Sequence, residues 1–184
     1  MKKLFLSAVV TVFAFAGFAA ENLITNPGFE TGTPAAGENI LPGWRVRGVG
    51  GVWKYHKIVK ESPKSGVNCG MIKVGENDPE KTDCYFSPNK NIKVEAGKNY
   101  RFSFWAKNLG GNAFVRIVYL TPEGKYWNNK QIKIIPDAGK KEWKQYSIEL
   151  KIKQPYQLNI MAMLSGRGEV YIDDFVLEEI TPAK

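Results

Sequence analysis

Asn99-Tyr100-Arg101-Phe102-Ser103-Phe104-Trp105-Ala106-Lys107 repeats its character every second residue, and that period decides the fold class. In an extended strand Tyr100, Phe102, Phe104 and Ala106 point one way and Arg101, Ser103, Trp105 and Lys107 the other, so the first set belongs to a core. The same alternation predicts strands over 52–59, 68–74, 113–120, 131–135, 143–151, 156–164 and 169–178. Glycine and proline punctuate the intervals, as in Asn26-Pro27-Gly28, Pro42-Gly43, Ser65-Gly66, Pro122-Glu123-Gly124 and Ser165-Gly166. No stretch combines helical periodicity with caps. Many short strands at regular spacing mean an all-β sandwich or barrel.

Upstream of the strands, Lys2 and Lys3 precede an uncharged apolar run over 4–15 and small residues at 16–20, the pattern of a bacterial-type signal peptide. Cleavage after Ala19 places Gly17 and Ala19 where a signal peptidase needs small side chains. The run falls short of the ~20 apolar residues that span a bilayer, so no membrane span is expected. The expected organisation is a leader over 1–19 and one domain over 20–184, secreted to the periplasm or the exterior. A domain of that length buries enough surface for its own core.

The net charge is +8, or +6 without Lys2 and Lys3. Lysines such as Lys54, Lys57, Lys60, Lys90, Lys93, Lys130 and Lys133 are scattered at strand-like spacing, which reads as solvated faces rather than a nucleic-acid stripe, and leaves an anionic glycan as the alternative. Cys69 and Cys84 are an even count in an exported chain and suggest a disulfide; two buried free thiols are the competing reading. His56 is the only histidine and reads as a surface residue.

The last strand breaks the rule. Tyr171, Asp173, Phe175 and Leu177 share one face on strict alternation and Ile172, Asp174 and Val176 the other, so one aspartate must be buried among apolar neighbours. A buried carboxylate is costly unless it is hydrogen-bonded, paired or bound to a cation.

Asn22-Leu23-Ile24-Thr25-Asn26-Pro27-Gly28-Phe29-Glu30, Gly43-Trp44, the 100–107 strand and Tyr171-Ile172-Asp173-Asp174-Phe175-Val176-Leu177 together resemble the CenC-type carbohydrate-binding modules of families four, nine, sixteen and twenty-two. The resemblance spans about 22–179. It implies a galactose-binding-like jelly-roll β-sandwich of two antiparallel sheets, a structural Ca2+ ion and a surface that holds sugar. It also implies that Glu30 and Asp173 are calcium ligands, with carbonyls of the 64–68 loop completing the shell; the family's usual His-Ser-Gly turn is here Lys64-Ser65-Gly66. Calcium takes six to eight oxygens, so such a site would tie the first segment to the last strand. The competing reading has both carboxylates bonding backbone amides without metal.

Sugar rings stack their C–H faces on aromatic rings and offer hydroxyls to planar polar groups. The candidates are Trp53 and Tyr55, Phe114 with Arg116, and Tyr126 with Trp127 beside Asn128 and Asn129; Trp44, Trp105 and Trp143 recur in the family pattern and are expected to pack. A glycosidase needs two facing carboxyl groups. Glu142, Glu149, Asp137 and Asp173 sit in no catalytic motif, and no nucleophile elbow, zinc helix or phosphate loop occurs. The expected function is therefore a monomeric, non-catalytic module binding a polysaccharide or oligosaccharide, accessory to a secreted glycoside hydrolase. The alternative is a structural or adhesion jelly roll without sugar specificity, in which Trp53, Tyr55 and Trp127 would be buried.

Overall fold

The computed structural model describes residues 21–32, 40–48, 52–80, 82–137 and 139–181, with the backbone alone at Ile40, Val52 and Trp53; the expected leader lies outside them. These residues form β1 (Ile40–Leu41), β2 (Trp44–Gly48), a 3-10 helix (Val52–Tyr55), β3 (His56–Val59), β4 (Cys69–Val74), β5 (Asp83–Pro88), β6 (Ile92–Val94), β7 (Asn99–Leu120), β8 (Tyr126–Ile134), β9 (Lys144–Lys151) and β10 (Tyr156–Ile180).

β7 and β10 pair antiparallel over nearly their whole lengths, from Gln157 opposite Leu120 to Ile180 opposite Asn99. Every other strand hangs from this pair. The first half of β10 carries β5 and β6, β5 carries β2 and β1, and the second half of β7 carries β8. We refer to this set as the first layer. The second half of β10 carries β4 and then β3, and the first half of β7 carries β9, which makes the second layer.

The register shifts between Ser165 and Val170, where Arg167 and Gly168 meet Gly110 and Gly111. A Cβ on Gly111 would stand 2.5 Å from the Arg167 carbonyl oxygen, and one on Gly168 would run into the Gly110 carbonyl. Glycine alone lets the two backbones approach this closely. Here the sheet folds on itself. β5 and β3 are three steps apart in strand order, about 14 Å in a flat sheet, yet the rings of Phe86 and His56 are 4.9 Å apart. The product is the expected jelly-roll β-sandwich of two antiparallel sheets around one core, in which Phe29 touches Trp44 (4.8 Å), Phe86 (5.3 Å) and Phe175 (6.3 Å).

Several expectations need correction. The 52–59 strand begins only at His56, because Val52–Tyr55 winds into a 3-10 turn and alternation does not apply there. His56 consequently faces the core, 7% exposed, rather than solvent. β2 and β5, not expected as strands, are both present, and the strands expected over 99–107 and 113–120, and over 156–164 and 169–178, are single long strands with glycine bulges.

Cys69 and Cys84 are buried free thiols with no disulfide between them. Cys69 lies near Asp173 and Glu30, Cys84 near Asp83 and Asp78, and burial pushes each thiol up to about 12. A thiol so far from its thiolate exchanges slowly. Titration of the denatured protein with a thiol reagent is expected to find both thiols, and reductant to leave the thermal midpoint unchanged; one blocked pair would contradict the structure.

Candidate functional site

The outward face of the first layer is a continuous surface of five strands. Val46, Phe86, Ala162 and Val115 turn inward into the core, so their neighbours turn out. The register then aligns two rows across the strands. One is Arg47, Tyr85, Met163, Phe114 and Lys133, each opposite the next. The other pairs Arg45 with Ser87, and Met161 with Arg116 and Gln131. Beyond them Asn159 faces Val118 and Asn129, and Gln157 faces Leu120, which faces Tyr126.

We refer to this face as the trough, from its buried middle and exposed margins. Ser87, Met163 and Phe114 are buried along its floor, while Arg47, Lys133 and Tyr126 are exposed at its margins. Its polar groups hold one another in place: Arg45 Nε donates to Ser87 Oγ (3.3 Å), Ser87 Oγ donates to Asn159 Oδ1 (3.0 Å), and Asn91 Nδ2 donates to Gln157 Oε1 (3.3 Å). The Arg116 guanidinium lies 5.3 Å over the Phe114 ring. In the amide orientation that satisfies both side chains, the Gln131 oxygen accepts from Arg116 Nη2 (3.1 Å) and Nε (3.2 Å). Asn129 Nδ2 donates to the Tyr126 hydroxyl (2.8 Å). Planar amides and guanidinium groups around apolar rings are the chemistry that hydroxylated, C–H-faced ligands require.

Of the residues singled out in the sequence, Phe114, Arg116 and Tyr126 come together here, and Trp127, 57% exposed, stands at the bulged start of β8. Tyr55 does not join them. It is 4% exposed, its hydroxyl donates to Asp78 Oδ1 (3.1 Å) and the Lys54 ammonium covers its ring at 4.5 Å, so neither ring face is free for stacking. The side chain of Trp53 lies outside the described residues. Arg45, Arg47, Tyr85, Ser87, Asn159 and Met163 were missed. The signal for the first four was present in the alternation of Trp44-Arg45-Val46-Arg47 and Cys84-Tyr85-Phe86-Ser87.

Trp44 packs in the core as expected, its indole N–H donating to the Asn26 carbonyl (2.7 Å), whereas Trp105 and Trp143 are half-buried on the second layer under Lys64 (4.2 Å) and Lys107 (5.0 Å).

The acids at the other end of the molecule are structural in their present bonding. Phe29, at φ 60°, drops its ring into the core and so delivers Glu30 to the 64–68 loop. There Glu30 Oε1 accepts from the Val67 (2.9 Å) and Asn68 (3.1 Å) amides and Oε2 from Asn68 Nδ2 (3.2 Å). Gly66, at φ 60°, has no room for a Cβ, which would strike the Glu30 carboxylate. Asp173 is 0% exposed; its Oδ2 accepts from the Lys64 (2.9 Å) and Ser65 (3.4 Å) amides and its Oδ1 from the Asp174 amide (2.8 Å).

A bulge follows Asp173 and leaves it on the outward face with Tyr171. Asp174 takes φ 50° and adds a residue between Asp173 opposite Trp105 and Val176 opposite Ser103. Tyr171 therefore does not share a face with Phe175, as strict alternation had it. Burial pushes the Asp173 carboxyl up to about 6 even though three amide N–H groups pull it down.

The donor chemistry suits a hard cation: the Asp173 and Asp174 carboxylates approach Gly28, the Glu30 carboxylate lies against Gly66, and all three supply only oxygen. Among the described residues, however, no three acidic, cysteine or histidine side chains gather closely enough to hold a metal by themselves. Any ion here would draw the rest of its shell from backbone carbonyls. Of the other acids considered for catalysis, Asp137 accepts from the Gly139 (3.0 Å) and Glu142 (2.8 Å) amides of its own loop, and Glu149 faces Arg101 (3.9 Å).

The family model described as a carbohydrate binding domain matches residues 21–164. No curated protein matches the chain in sequence. Among solved structures, TmCBM61 in complex with β-1,4-galactotriose is similar at TM-score 0.59 and 23% identity, over 88% of this chain and 100% of that one. The enzymatically active domain of bacteriophage CBA120 tailspike protein 4 is similar at TM-score 0.66 and 15% identity, over 86% of this chain. The CBM22-1–GH10 modules of Clostridium thermocellum endo-1,4-β-D-xylanase 10B, complexed with xylohexaose, are similar at TM-score 0.56 and 15% identity, over 88% of this chain. The chain spans only 21% of the phage protein and 29% of the xylanase chain. At these identities the likeness is one of fold.

The buried aspartate gives a signed pH effect. With its folded pKa near 6 and its ordinary value at 3.8, the native state holds more protons than the unfolded state between those limits, so Asp173 withdraws stability as pH rises through them. Across that window and with chelator present, Asp173→Asn is expected to gain stability relative to the parent as pH rises, read from denaturant midpoints. A constant difference between the two proteins would contradict the burial assigned here.

Proposed function

The chain belongs to this family of carbohydrate-binding domains, and from that premise we propose that it is a secreted, non-catalytic module that holds a polysaccharide or oligosaccharide in the first-layer trough. One observation carries the reading: the row Arg47, Tyr85, Met163, Phe114 and Lys133 runs unbroken across five strands on an outward face, with Ser87, Asn159, Gln131 and Asn129 beside it. A sugar ring would lie on the half-buried Tyr85, above an apolar floor of Met163 and Phe114, and the amides and guanidinium groups would take hydroxyls. Four steps of strand spacing give the row a length of about 19 Å, room for several sugar units rather than one. An accessory role beside a glycoside hydrolase is supported by the likeness to part of a xylanase chain that also carries a GH10 module, and export by the pattern of residues 1–19.

A structural calcium ion belongs to the same proposal. Glu30 and Asp173 would hold it, together with carbonyls of the 64–68 loop. The ion would supply charge to a carboxylate that burial otherwise pushes toward its neutral form. Binding would require that carboxylate ionised, so affinity would rise as pH passes about 6.

Calorimetry against β-glucan, xylan, mannan, galactan and acidic glycans tests the first part. At least one is expected to bind, and Tyr85→Ala to weaken it about tenfold, roughly 1.4 kcal/mol; a folded protein that binds none would refute the proposal. Chelation tests the second. A saturated ion at a hundredfold excess over its Kd contributes about 2.7 kcal/mol, so EDTA is expected to lower the thermal midpoint by about 5–10 °C. An unchanged midpoint would leave Glu30 and Asp173 as amide acceptors only.

A further inference from the structure

The charges of this protein are not distributed alike over its surface. Lys54, Lys73 and Lys98 pair with carboxylates, while other lysines outside the trough, such as Lys57 and Lys93, form no ion pair among the described residues. The five arginines divide by face: Arg101 and Arg167 pair with carboxylates, and the three of the trough do not. Among the described residues, Arg45, Arg47, Arg116 and Lys133 form no ion pair, and Asp83, at the end of β5, is the one acid at a strand position facing the same way. What these guanidinium groups touch is neutral: Ser87 Oγ for Arg45, the Gln131 amide and the Phe114 ring for Arg116. Each guanidinium has five donors in a planar fork and leaves most of them unused. The floor between them, Met163 and Phe114, is apolar and buried, and a low-dielectric floor between like charges focuses their field outward.

From this charge pattern we infer that the trough takes an anionic polysaccharide, one whose sugar units carry carboxylates. The inference rests on reading the trough as the glycan site. Arg45 and Arg47 on β2 and Arg116 on β7 stand three strand steps apart, about 14 Å, so they meet different units of one bound chain. Planar guanidinium forks match planar carboxylates through two parallel hydrogen bonds, and the pairing is strongest where water is excluded, as over the Phe114 ring. Tyr85, half-buried between the charged ends, receives the C–H face of a sugar ring, and Met163 and Phe114 form the apolar floor beneath it. A duplex nucleic acid would instead need cations along a longer stripe, and the trough confines them to two ends.

The test is calorimetry of the full chain against polygalacturonate and alginate, a sulfated galactan, the neutral polymers xylan and β-glucan, and a DNA duplex. Polyuronate is expected to bind most tightly, with affinity falling about tenfold between about 50 and about 500 mM salt as exposed charges are screened. Arg47→Gln, at an exposed position, is expected to weaken polyuronate binding about tenfold. Arg116→Lys, which keeps the charge and loses the fork, is expected to weaken it about threefold. Lys57→Gln removes one charge from the outer face of the second layer and is expected to change nothing.

Tight, salt-insensitive binding of a neutral polymer alone would overturn this inference and leave the glycan-binding reading intact, whereas no binding to any glycan would overturn both. Preference for the sulfated polymer or DNA over polyuronate would also overturn it. So would a loss in Lys57→Gln equal to that in Arg47→Gln, since adhesion would then follow net charge rather than this surface.

Discussion

The antiparallel pairing of β7 with β10 is the constraint on which the rest of the molecule depends. Both layers are built outward from these two strands, so their shared bend at Gly110–Gly111 and Gly166–Gly168 determines that the layers face each other at all. Register matters as much as pairing. A slip of one residue in the first half of β10 would carry Met161 and Met163 into the core and Ile160 and Ala162 out to the trough. The glycine bulges pin that register in the first half of β10, because the extra residues there are accommodated where glycines allow the backbones to approach. The trough is thus a consequence of where four glycines stand, although none of them is part of it.

Local chemistry was legible in the sequence and neighbourhood was not. Alternation over 100–107 correctly separates the core residues Tyr100, Phe102, Phe104 and Ala106 from the outward ones, and over 113–120 it puts Phe114 and Arg116 on the face opposite Val115 and Ile117. It says nothing of which strand lies beside which. Tyr85 and Ser87 have the same alternating signal as Phe114, yet their importance comes from Met163 and Arg45 beside them, and those contacts join segments some 40 to 80 positions apart. Tyr55 departs from the strand pattern for a local reason: a 3-10 turn rotates side chains by a third of a circle, so its ring ends under Lys54 and against Asp78.

The acids of the opening and closing motifs show where a sequence argument can succeed for a reason it does not contain. Asp173 is buried, yet not among the core residues: it shares the outward face with Trp105 and is covered by the 64–68 loop, and Tyr171 and Phe175, which strict alternation would have put on one face, lie on different ones. The positive φ of Asp174 does the work, and it also brings the Asp174 carboxylate to the Ser65 hydroxyl at 2.6 Å. Two positive-φ residues, Phe29 and Asp174, therefore aim three carboxylates at one loop. Backbone conformations of that kind are costly for non-glycine residues and persist where the surroundings fix them; here Phe29 is fixed by the aromatic contacts of its own ring.

The division between acids that hold the fold and cations that face a ligand has a physical basis. β10 carries both: its first half contributes Met161 and Met163 to the trough, and its second half contributes Asp173 to the loop contact. A change in the ionisation of Asp173 acts on the 64–68 loop and the opening segment, which meet the second layer, while the trough belongs to the first. The glycine bend lies between them and is held by backbone contacts rather than by charge. Stability and ligand affinity are accordingly expected to follow different variables, the one pH and divalent cation through a buried group, the other ionic strength through exposed ones, because screening reaches the guanidinium groups of Arg45 and Arg47 and does not reach a carboxylate that water cannot touch.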